Sequence, residues 1–228
     1  MKTVAFIPVR GGSKSIPGKN ILPFNGQPLL YWTAKAAQDC QEISEIVIAT
    51  DSQEIAETAK NLGLSKIVIY NRSAENANDK ASTESVMLEY LQTSNLQAED
   101  RFILIQATNP FLLSDHLNDG INLLNQQPQG SIISCATFKR FLWNRDGSPM
   151  NYDFMHRPRR QDFDGAMLEN GAFYINSVGN ILETQNRLTH PIAIVEMPEY
   201  SAVEIDEPED WLIAEKIHRK HILTHSKP

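Results

Sequence analysis

The sequence predicts an α/β protein with a doubly wound, mainly parallel sheet, and two observations support this class. Short apolar runs rich in β-branched residues alternate with amphipathic stretches over the first two thirds of the 228 residues, which is typical of strand–helix units in a parallel sheet. One of these units also carries the start and stop signals of a helix between two strands. The strands of this part are predicted at 4–9, 46–50, 67–69, 102–106 and 132–136.

The clearest unit is the helix predicted between the second and third strands. Asp51 and Glu54 have the spacing of a capping box, apolar residues follow at helical spacing, and Gly63 ends the pattern. We therefore predict a βαβ unit here. Further helices are predicted to begin at Ser82 and Ser114 and to span 208–219, and further strands are predicted at 171–176, 192–196 and 202–205.

The periodic pattern fails between Phe138 and Leu168, in a stretch rich in Arg, Asp, Asn, Pro and Gly. A loop of this length is uncommon unless it binds a ligand or crosses to a partner. We predict a single domain over residues 1–228 that carries an arm or lid at about 138–170.

Composition excludes several classes of function. Acidic residues exceed basic ones by 28 to 21, for a net charge of −7, which argues against nucleic-acid binding. The apolar runs are far shorter than the roughly 18 residues of a membrane span. Cys40 and Cys135 have no metal-ligand spacing and are predicted to be buried thiols. With no secretory leader evident, we expect a cytoplasmic protein without nucleic-acid or membrane partners.

The residues after the first strand have the composition of a phosphate-binding loop. Residues 10–20 contain three cations, three glycines and two serines; backbone N–H groups of such a loop approach a phosphate closely, and Arg and Lys supply countercharge. The order of residues matches neither the P-loop nor the dinucleotide-binding pattern. An ordinary flexible loop is the alternative, but clustered cations in an acidic protein suit a small anionic substrate.

An acidic pair near the C-terminus is a candidate cation site. Glu204 and Asp206 are two apart on a predicted strand, so both side chains point to one face and can share a Mg²⁺. Two alternatives stay open: Glu204 contacts the cation through water, or Asp206 is a solvated carboxylate before the last helix.

Several motifs in order along nearly the whole chain resemble the N-acylneuraminate cytidylyltransferase family. They are Arg-Gly-Gly-Ser-Lys at 10–14 with Lys-Asn at 19–20, Arg-Ser-Ala-Glu at 72–75 with Ser-Thr at 82–83, Gln-Ala-Thr-Asn-Pro at 106–110, Arg-Arg-Gln-Asp at 159–162, Glu-Asn-Gly-Ala-Phe-Tyr-Ile at 169–175 and Glu-Ile-Asp at 204–206.

This resemblance implies a Rossmann-like nucleotidyltransferase that uses Mg²⁺, forms a homodimer through its arm and transfers CMP from CTP to the anomeric hydroxyl of an acidic nine-carbon sugar, with release of pyrophosphate. The implied catalytic residues are Arg10, Lys19 and Asp206. The implied nucleotide-binding residues are Arg10, Gly11, Gly12, Ser13, Asn20, Arg72, Ser82 and Gln106; the implied sugar-binding residues are Gln106, Arg160, Gln161 and Tyr174; and the implied metal ligands are Asp206 and Glu204.

Some of these side chains have a second interpretation. Ser82 suits a helix N-cap, which is compatible with a nucleotide contact. The guanidinium fork of Arg160 matches the carboxylate of an acidic sugar, but a basic loop of this kind also suits solvent or a dimer contact. Tyr174 suits core packing as well as a ligand.

The motifs depart from the family pattern at Ser15, Ala107, Asn109, Leu112 and Glu204, which leaves the sugar open. The alternatives are legionaminic, pseudaminic or deaminated neuraminic acid, or KDO, although the first loop favours the nine-carbon group over KDO. A non-catalytic nucleotide-binding protein of the same fold is the alternative from another class.

Overall fold

The structure is a computed structural model that describes residues 1–12, 15–77 and 81–224; Ser13 and Lys14 of the first loop lie outside the described residues. The strands are β1 (Thr3–Pro8), β2 (Pro23–Phe24), β3 (Gln27–Pro28), β4 (Glu45–Thr50), β5 (Ile67–Asn71), β6 (Arg101–Ile105), β7 (Ser131–Phe138), β8 (Ala166–Ser177) and β9 (Ile192–Met197). The α-helices are α1 (Leu29–Asp39), α2 (Gln53–Lys60), α3 (Thr83–Thr93), α4 (Ser114–Gln126), α5 (Val178–Thr184) and α6 (Pro208–His218).

Seven strands form the central sheet, in the order β5-β4-β1-β6-β8-β7-β9, while β2 and β3 form a separate small hairpin. Strand β1 pairs in parallel with both β4 and β6, β4 with β5, and β7 with β9. Strand β8 is antiparallel to both of its neighbours. The predicted doubly wound, mainly parallel sheet is confirmed.

The side chains of β1 alternate between two apolar clusters, one on each face of the sheet, so both faces are covered. Val4 and Phe6 pack towards α3 and α5, whereas Ala5 and Ile7 pack towards α1, α2 and α4. Successive side chains of a strand point to opposite faces, and all four are at most 1% exposed. A strand buried in this way is apolar throughout, which explains the runs in the sequence.

A third apolar cluster holds the C-terminal part of the chain to the hairpin. Phe24 and Phe111 pack there with Ala214 of α6 and with Ile205, which is fully buried. The side chain of Ile205 therefore fixes the segment that carries Glu204 and Asp206.

The predicted capping box at Asp51 is wrong. Helix α2 is capped one residue later, where the Ser52 hydroxyl accepts a hydrogen bond from the Ile55 N–H at 3.4 Å. The Asp51 carboxylate instead accepts from the Gly11 N–H at 3.0 Å. The Asp51 carboxylate therefore binds the first loop, whereas the local sequence predicted that it would cap helix α2.

The strand predicted at 202–205 is also wrong. A 3₁₀ turn, Glu199–Ala202, is followed by extended chain that belongs to none of the described strands. In contrast, the strand predicted at 171–176 is longer than expected, since β8 begins at Ala166 and the irregular segment after β7 covers 139–165. Helix α1, helix α5 and the hairpin of β2 and β3 were not predicted from the sequence.

Cys40 and Cys135 are free and buried, as predicted. Within residues 1–12, 15–77 and 81–224, the helices lack the length and apolar character needed to cross a bilayer.

His218 is a buried imidazole in the third cluster. It is 0% exposed, and its ring lies 5.2 Å from the Phe24 ring and 4.3 Å from the Trp32 ring. The Asn25 amide contacts its Nδ1 at 3.3 Å, whereas Nε2 has no hydrogen-bond partner among the described residues. Burial lowers the pKa of His218 to about 4, so the folded protein holds it neutral at neutral pH.

We expect the free energy of unfolding to fall as the pH is lowered from about 6.5 to about 4, by up to about 1.4 kcal/mol per pH unit. The reason is that His218 binds a proton in the unfolded chain, near its ordinary pKa of about 6.5, before it does so in the folded one. Urea unfolding across this range should show a smaller pH slope for His218→Phe than for wild type. His190→Gln, which removes an exposed imidazole outside the ion pairs of the described residues, is the control and should keep the wild-type slope; equal slopes for wild type and His218→Phe would refute the assignment.

Candidate active site

A cleft of about 440 Å³ opens at the carboxyl ends of β1 and β6. From β1 the chain builds β4 and β5 on one side and then β6 on the other; such a switch point is where open α/β sheets bind ligands. The cleft is lined by Pro8, Arg10, Lys19, Asn20, Arg72, Ala81, Ser82, Thr83, Val86, Gln106, Ala107, Thr108, Glu204 and Asp206. It therefore brings together the predicted residues Arg10, Lys19, Asn20, Arg72, Ser82, Gln106, Glu204 and Asp206.

The first loop is fastened to the end of β4. The Gly11 N–H donates to Asp51, and a Cβ on Gly11 would lie 3.0 Å from the Ser52 Cβ. A glycine at position 11 thus permits the close approach that holds Arg10 at the cleft. None of the described residues would meet a Cβ on Gly12 within 4 Å, and the roles predicted for Gly11 and Gly12 stay predictions. The role predicted for Ser13 concerns a residue outside the described ones.

Lys19 joins the first loop to the acidic segment, which we define as residues 203–206. Its ammonium donates to the Ile205 carbonyl at 2.6 Å and lies 3.5 Å from Asp206 Oδ1. The Lys19 side chain is only 12% exposed, whereas that of Asp206 is 68% exposed. The cation is therefore held by the protein, while the carboxylate still faces solvent in the cleft.

The acidic segment presents two carboxylates on the same side of the chain. Glu204 and Asp206 both line the cleft, and Ile205 between them is buried. Burial raises the pKa of Glu204, the charges of Asp206 and Glu169 raise it further, and Lys19 opposes them. Asp206 and Glu207 both donate their backbone N–H to Asp210 Oδ2, at 3.2 and 2.9 Å, which fixes the end of the segment.

Carboxylate oxygens with this spacing fit a hard divalent cation such as Mg²⁺. Within the described residues, no group of three His, Cys, Asp or Glu side chains could hold a metal. Mg²⁺ is often held by one or two carboxylates and completed by phosphate oxygens and water. The pair thus fits a cation that arrives with a phosphorylated ligand.

Arg72 carries a buried donor into the cleft. Its Nη2 donates to the Asn76 carbonyl at 2.7 Å, but its Nε is a buried polar atom without a hydrogen-bond partner among the described residues. Burial lowers the pKa of Arg72, as does Arg10, while Asp51 and Glu89 raise it. A buried donor without a partner is costly, and an anionic ligand oxygen would satisfy it.

Glu89 of α3 holds the segment that presents Arg72, and the sequence analysis missed it. Its carboxylate accepts from the Tyr70 hydroxyl at 2.8 Å, from the Ser73 N–H at 3.0 Å, from the Ser73 hydroxyl at 2.5 Å and from the Asn76 amide. Burial raises the pKa of Glu89, but these hydrogen bonds outweigh it and lower the pKa to about 2. A Glu on an amphipathic helix gives no local signal of such a role.

Backbone geometry matters at Ser82, which lines the cleft, and at Gly171, which lies against the cleft residue Gln106. Ser82 is the N-cap of α3, where its hydroxyl accepts from the Ser85 N–H at 3.0 Å while it lines the cleft. Gly171 has φ 64°, and a Cβ there would clash with the side-chain oxygen of Gln106. Both the left-handed conformation and the contact favour glycine.

The predicted sugar-binding residues Arg160, Gln161 and Tyr174 do not line the cleft of this chain. Arg160 is 58% exposed and donates to Glu199 at 2.8 Å. Tyr174 is 3% exposed, and its hydroxyl donates to the Glu169 carboxylate. Core packing, one of its two interpretations, accounts for Tyr174; the sugar contacts of all three stay predictions.

The fold resembles that of enzymes that act on cytidine nucleotides. A CMP:2-keto-3-deoxy-manno-octonic acid synthetase, solved in complex with CTP, superposes with a TM-score of 0.70 over 97% of this chain and 100% of that chain, at 16% identity. The sequence makes the assignment specific: residues 4–178 match the family described as Cytidylyltransferase. The chain belongs to the cytidylyltransferase family.

Two curated relatives are similar to this chain over most of its length but differ in their own length. An N-acylneuraminate cytidylyltransferase of Oncorhynchus mykiss is 37% identical over 221 residues, which cover 93% of this chain but 49% of the relative. A pseudaminic acid cytidylyltransferase of Campylobacter jejuni is 28% identical over 228 residues, or 96% of this chain and 97% of the relative. The chain thus spans about half the length of the first relative and nearly all of the second.

We expect Gly171→Ala to lower the free energy of unfolding by at least about 1–2 kcal/mol, because a residue with a Cβ is strained in the left-handed conformation and would also push against Gln106. Urea unfolding measures the change. Gly12→Ala in the first loop is the control and should cost little, since none of the described residues lies within 4 Å of its Cβ. An equal loss in both variants would contradict the role of Gly171.

Proposed function

We propose that this protein transfers CMP from CTP to the anomeric hydroxyl of an acidic nine-carbon ulosonic acid, N-acetylneuraminic acid or a close relative, and releases pyrophosphate. The observation that carries the proposal is one cleft lined both by the cations Arg10, Lys19 and Arg72 and by the carboxylates Glu204 and Asp206. The relatives, which include an N-acylneuraminate cytidylyltransferase and a pseudaminic acid cytidylyltransferase, support the choice of donor and acceptor.

The cationic side of the cleft would bind the triphosphate. Arg10 and Lys19 would neutralise the charge that develops on the leaving pyrophosphate, which is the main source of rate in phosphoryl-type transfers. The Nε of Arg72, which has no partner among the described residues, would donate to a phosphate oxygen. Asn20, Ser82 and Gln106 would contact the nucleotide, and Gln106 also the sugar. The sugar hydroxyl would attack the α-phosphorus in line, so that its oxygen–phosphorus bond forms as the bond to pyrophosphate breaks.

Glu204 and Asp206 would hold Mg²⁺ against the phosphates. When bound, the cation would supply positive charge that stabilises the negative charge developing on the phosphates. Because Lys19 lies 3.5 Å from Asp206, the same residue would orient this carboxylate and limit repulsion between the two acids. Free, buried thiols and a nucleoside triphosphate as substrate favour the cytoplasm as the site of action.

The experiment that tests this function measures pyrophosphate released with each of the four NTPs, Mg²⁺ and a panel of ulosonic acids. We expect release with CTP and a nine-carbon acid. Pseudaminic acid belongs in the panel because the Campylobacter jejuni relative matches this chain from end to end. Release with GTP in place of CTP would overturn the cytidine assignment; no release with any pair would favour a non-catalytic nucleotide-binding protein.

We further propose a homodimer in which the arm at about 138–170, part of the single domain over 1–228, brings Arg160 and Gln161 to the partner's cleft. The arm exposes large apolar side chains, among them Trp143 at 48%, Phe154 at 54% and Met155 at 72%. A concentration of such groups is typical of an interaction surface. Arg160, exposed on the same segment, would bind the sugar carboxylate with its planar fork.

We expect Lys19→Ala and Arg160→Ala each to lower kcat/KM by at least about a hundredfold, since each removes a charged contact to substrate. If Arg160 serves the partner's cleft, mixing the two variants under exchange conditions should restore activity, because half of the mixed dimers' sites are intact. Sedimentation velocity checks that both variants are dimers. Dimers that exchange but recover no activity would refute the shared site.

We expect Glu89→Gln to raise the KM for CTP about tenfold with little change in kcat. The N–H groups of the introduced Gln side chain would meet the N–H and O–H donors that the Glu89 carboxylate accepts from. Hydrogen bonds worth about 1–2 kcal/mol would be lost, and the segment that carries Arg72 would no longer be held in place. Steady-state kinetics at saturating sugar measures both constants. Glu45→Gln is the matched control, because Glu45 also accepts from a tyrosine hydroxyl, that of Tyr90 at 3.4 Å. A fall in kcat alone would contradict this role.

A further inference from the structure

Asn109 is buried beneath the cleft with all of its amide groups engaged. It is 1% exposed. Its Nδ2 donates to the Asn170 carbonyl at 2.8 Å and to the Ser201 carbonyl at 2.9 Å. Its Oδ1 accepts from the Phe111 N–H at 3.3 Å. One side chain therefore joins three separate parts of the backbone.

Asn170 continues this network. Its Nδ2 donates to the Ser201 hydroxyl at 2.9 Å, and its Oδ1 accepts from the Ser134 hydroxyl at 2.8 Å. Asn170 is 1% exposed, and Ser134 and Ser201 are fully buried. A buried polar network whose members are all satisfied fixes a single arrangement of the chain, because breaking any bond leaves a buried group without a partner.

The network holds the start of the acidic segment. Ser201 stands two residues before the segment, and both its carbonyl and its hydroxyl are engaged. The other attachments lie further along: the buried side chain of Ile205, the hydrogen bond from Lys19 to its carbonyl, and the Asp210 carboxylate beyond the segment. Of the two carboxylates of the acidic segment, Glu204 is the nearer in sequence to Ser201, the residue that Asn109 contacts.

We propose that Asn109 is a positioning residue that sets Glu204 and Asp206 for a divalent cation bound with the nucleotide. The inference rests on the proposed function for the identity of the nucleotide and the cation. Asn109 itself does not line the cleft, so it acts through its hydrogen bonds to the backbone of Ser201 and Asn170.

In this chain a smaller hydroxyl could not make the same contacts as the Asn109 amide. The two N–H groups of Asn109 serve two different carbonyls, whereas a serine has one O–H donor. Asn109→Ser therefore leaves at least one of the two carbonyls buried without this donor. The attachment of the start of the acidic segment to the loop after β6 is then weakened, while the phosphate-binding cations are untouched.

The test measures CTP binding by calorimetry without sugar, once in EDTA and once in saturating Mg²⁺. The ratio of the two Kd values reports how much the cation adds to binding and involves no turnover. We expect Mg²⁺ to tighten CTP binding to the wild-type protein. Asp206→Asn should abolish most of this Mg²⁺-dependent gain in affinity. Asn109→Ser should reduce the gain about five- to tenfold, as expected for the loss of one buried hydrogen bond. CTP affinity in EDTA should change less than about twofold in Asn109→Ser. Asn109→Ser added to Asp206→Asn should have no further effect.

Asn176→Ser is the matched control. Asn176 is also 1% exposed, and its Nδ2 donates to two groups, the Arg187 carbonyl at 3.2 Å and the Thr189 hydroxyl at 3.1 Å, neither of which lines the cleft. It should lose stability without changing the Mg²⁺-dependent ratio. Ser201→Ala is a milder second variant, which removes only the hydroxyl link to Asn170 and should shift the ratio in the same direction by a smaller factor.

Three outcomes would overturn the positioning role. They are a ratio in Asn109→Ser equal to that of wild type, an equal loss in Asn176→Ser, and a wild-type protein whose CTP affinity does not respond to Mg²⁺. Failure of the proposed function is seen separately, as wild-type protein that binds CTP with Mg²⁺ but releases no pyrophosphate with any acceptor.

Discussion

The parallel pairing of β1 with both β4 and β6 is the interaction on which the rest of the molecule depends. Because these strands are parallel, their carboxyl ends meet at one edge of the sheet, and the loops that follow them are neighbours. Burial of β1 on both faces, with Phe6 and Ile7 fully buried, stabilises this arrangement through the hydrophobic effect. The first loop and Gln106 therefore lie beside each other, although they are almost a hundred residues apart in the sequence.

On this frame, the C-terminal acidic segment is brought to the cleft by a few specific contacts and by no strand pairing. Ile205 is buried in the third cluster, Lys19 donates to its carbonyl, and Asn109 donates to Ser201. The result is a cleft lined by both cations and carboxylates, in which Lys19 lies 3.5 Å from Asp206. Such an arrangement suits a ligand that carries both phosphates and a divalent cation.

Most of the sheet could be predicted from the sequence because its strands are short, buried on both faces and therefore apolar throughout. The helix beginning after Ser82 was likewise predicted from its N-cap. The errors have local causes. Asp51 has the spacing of a capping residue, but the neighbouring loop takes its carboxylate; residues 202–205 have the composition of a strand but lie outside the described sheet.

Residue types and their order along the chain were enough to predict the class of fold and the family, and to propose the cations and carboxylates of the site. Which of these residues share a cleft, and which contacts hold them there, became visible only in the folded chain. Glu89 and Asn109 show the difference: each acts through hydrogen bonds to groups that are distant in sequence or belong to the backbone. Such partners leave no pattern in the neighbouring residues, since they are selected by how the chain packs.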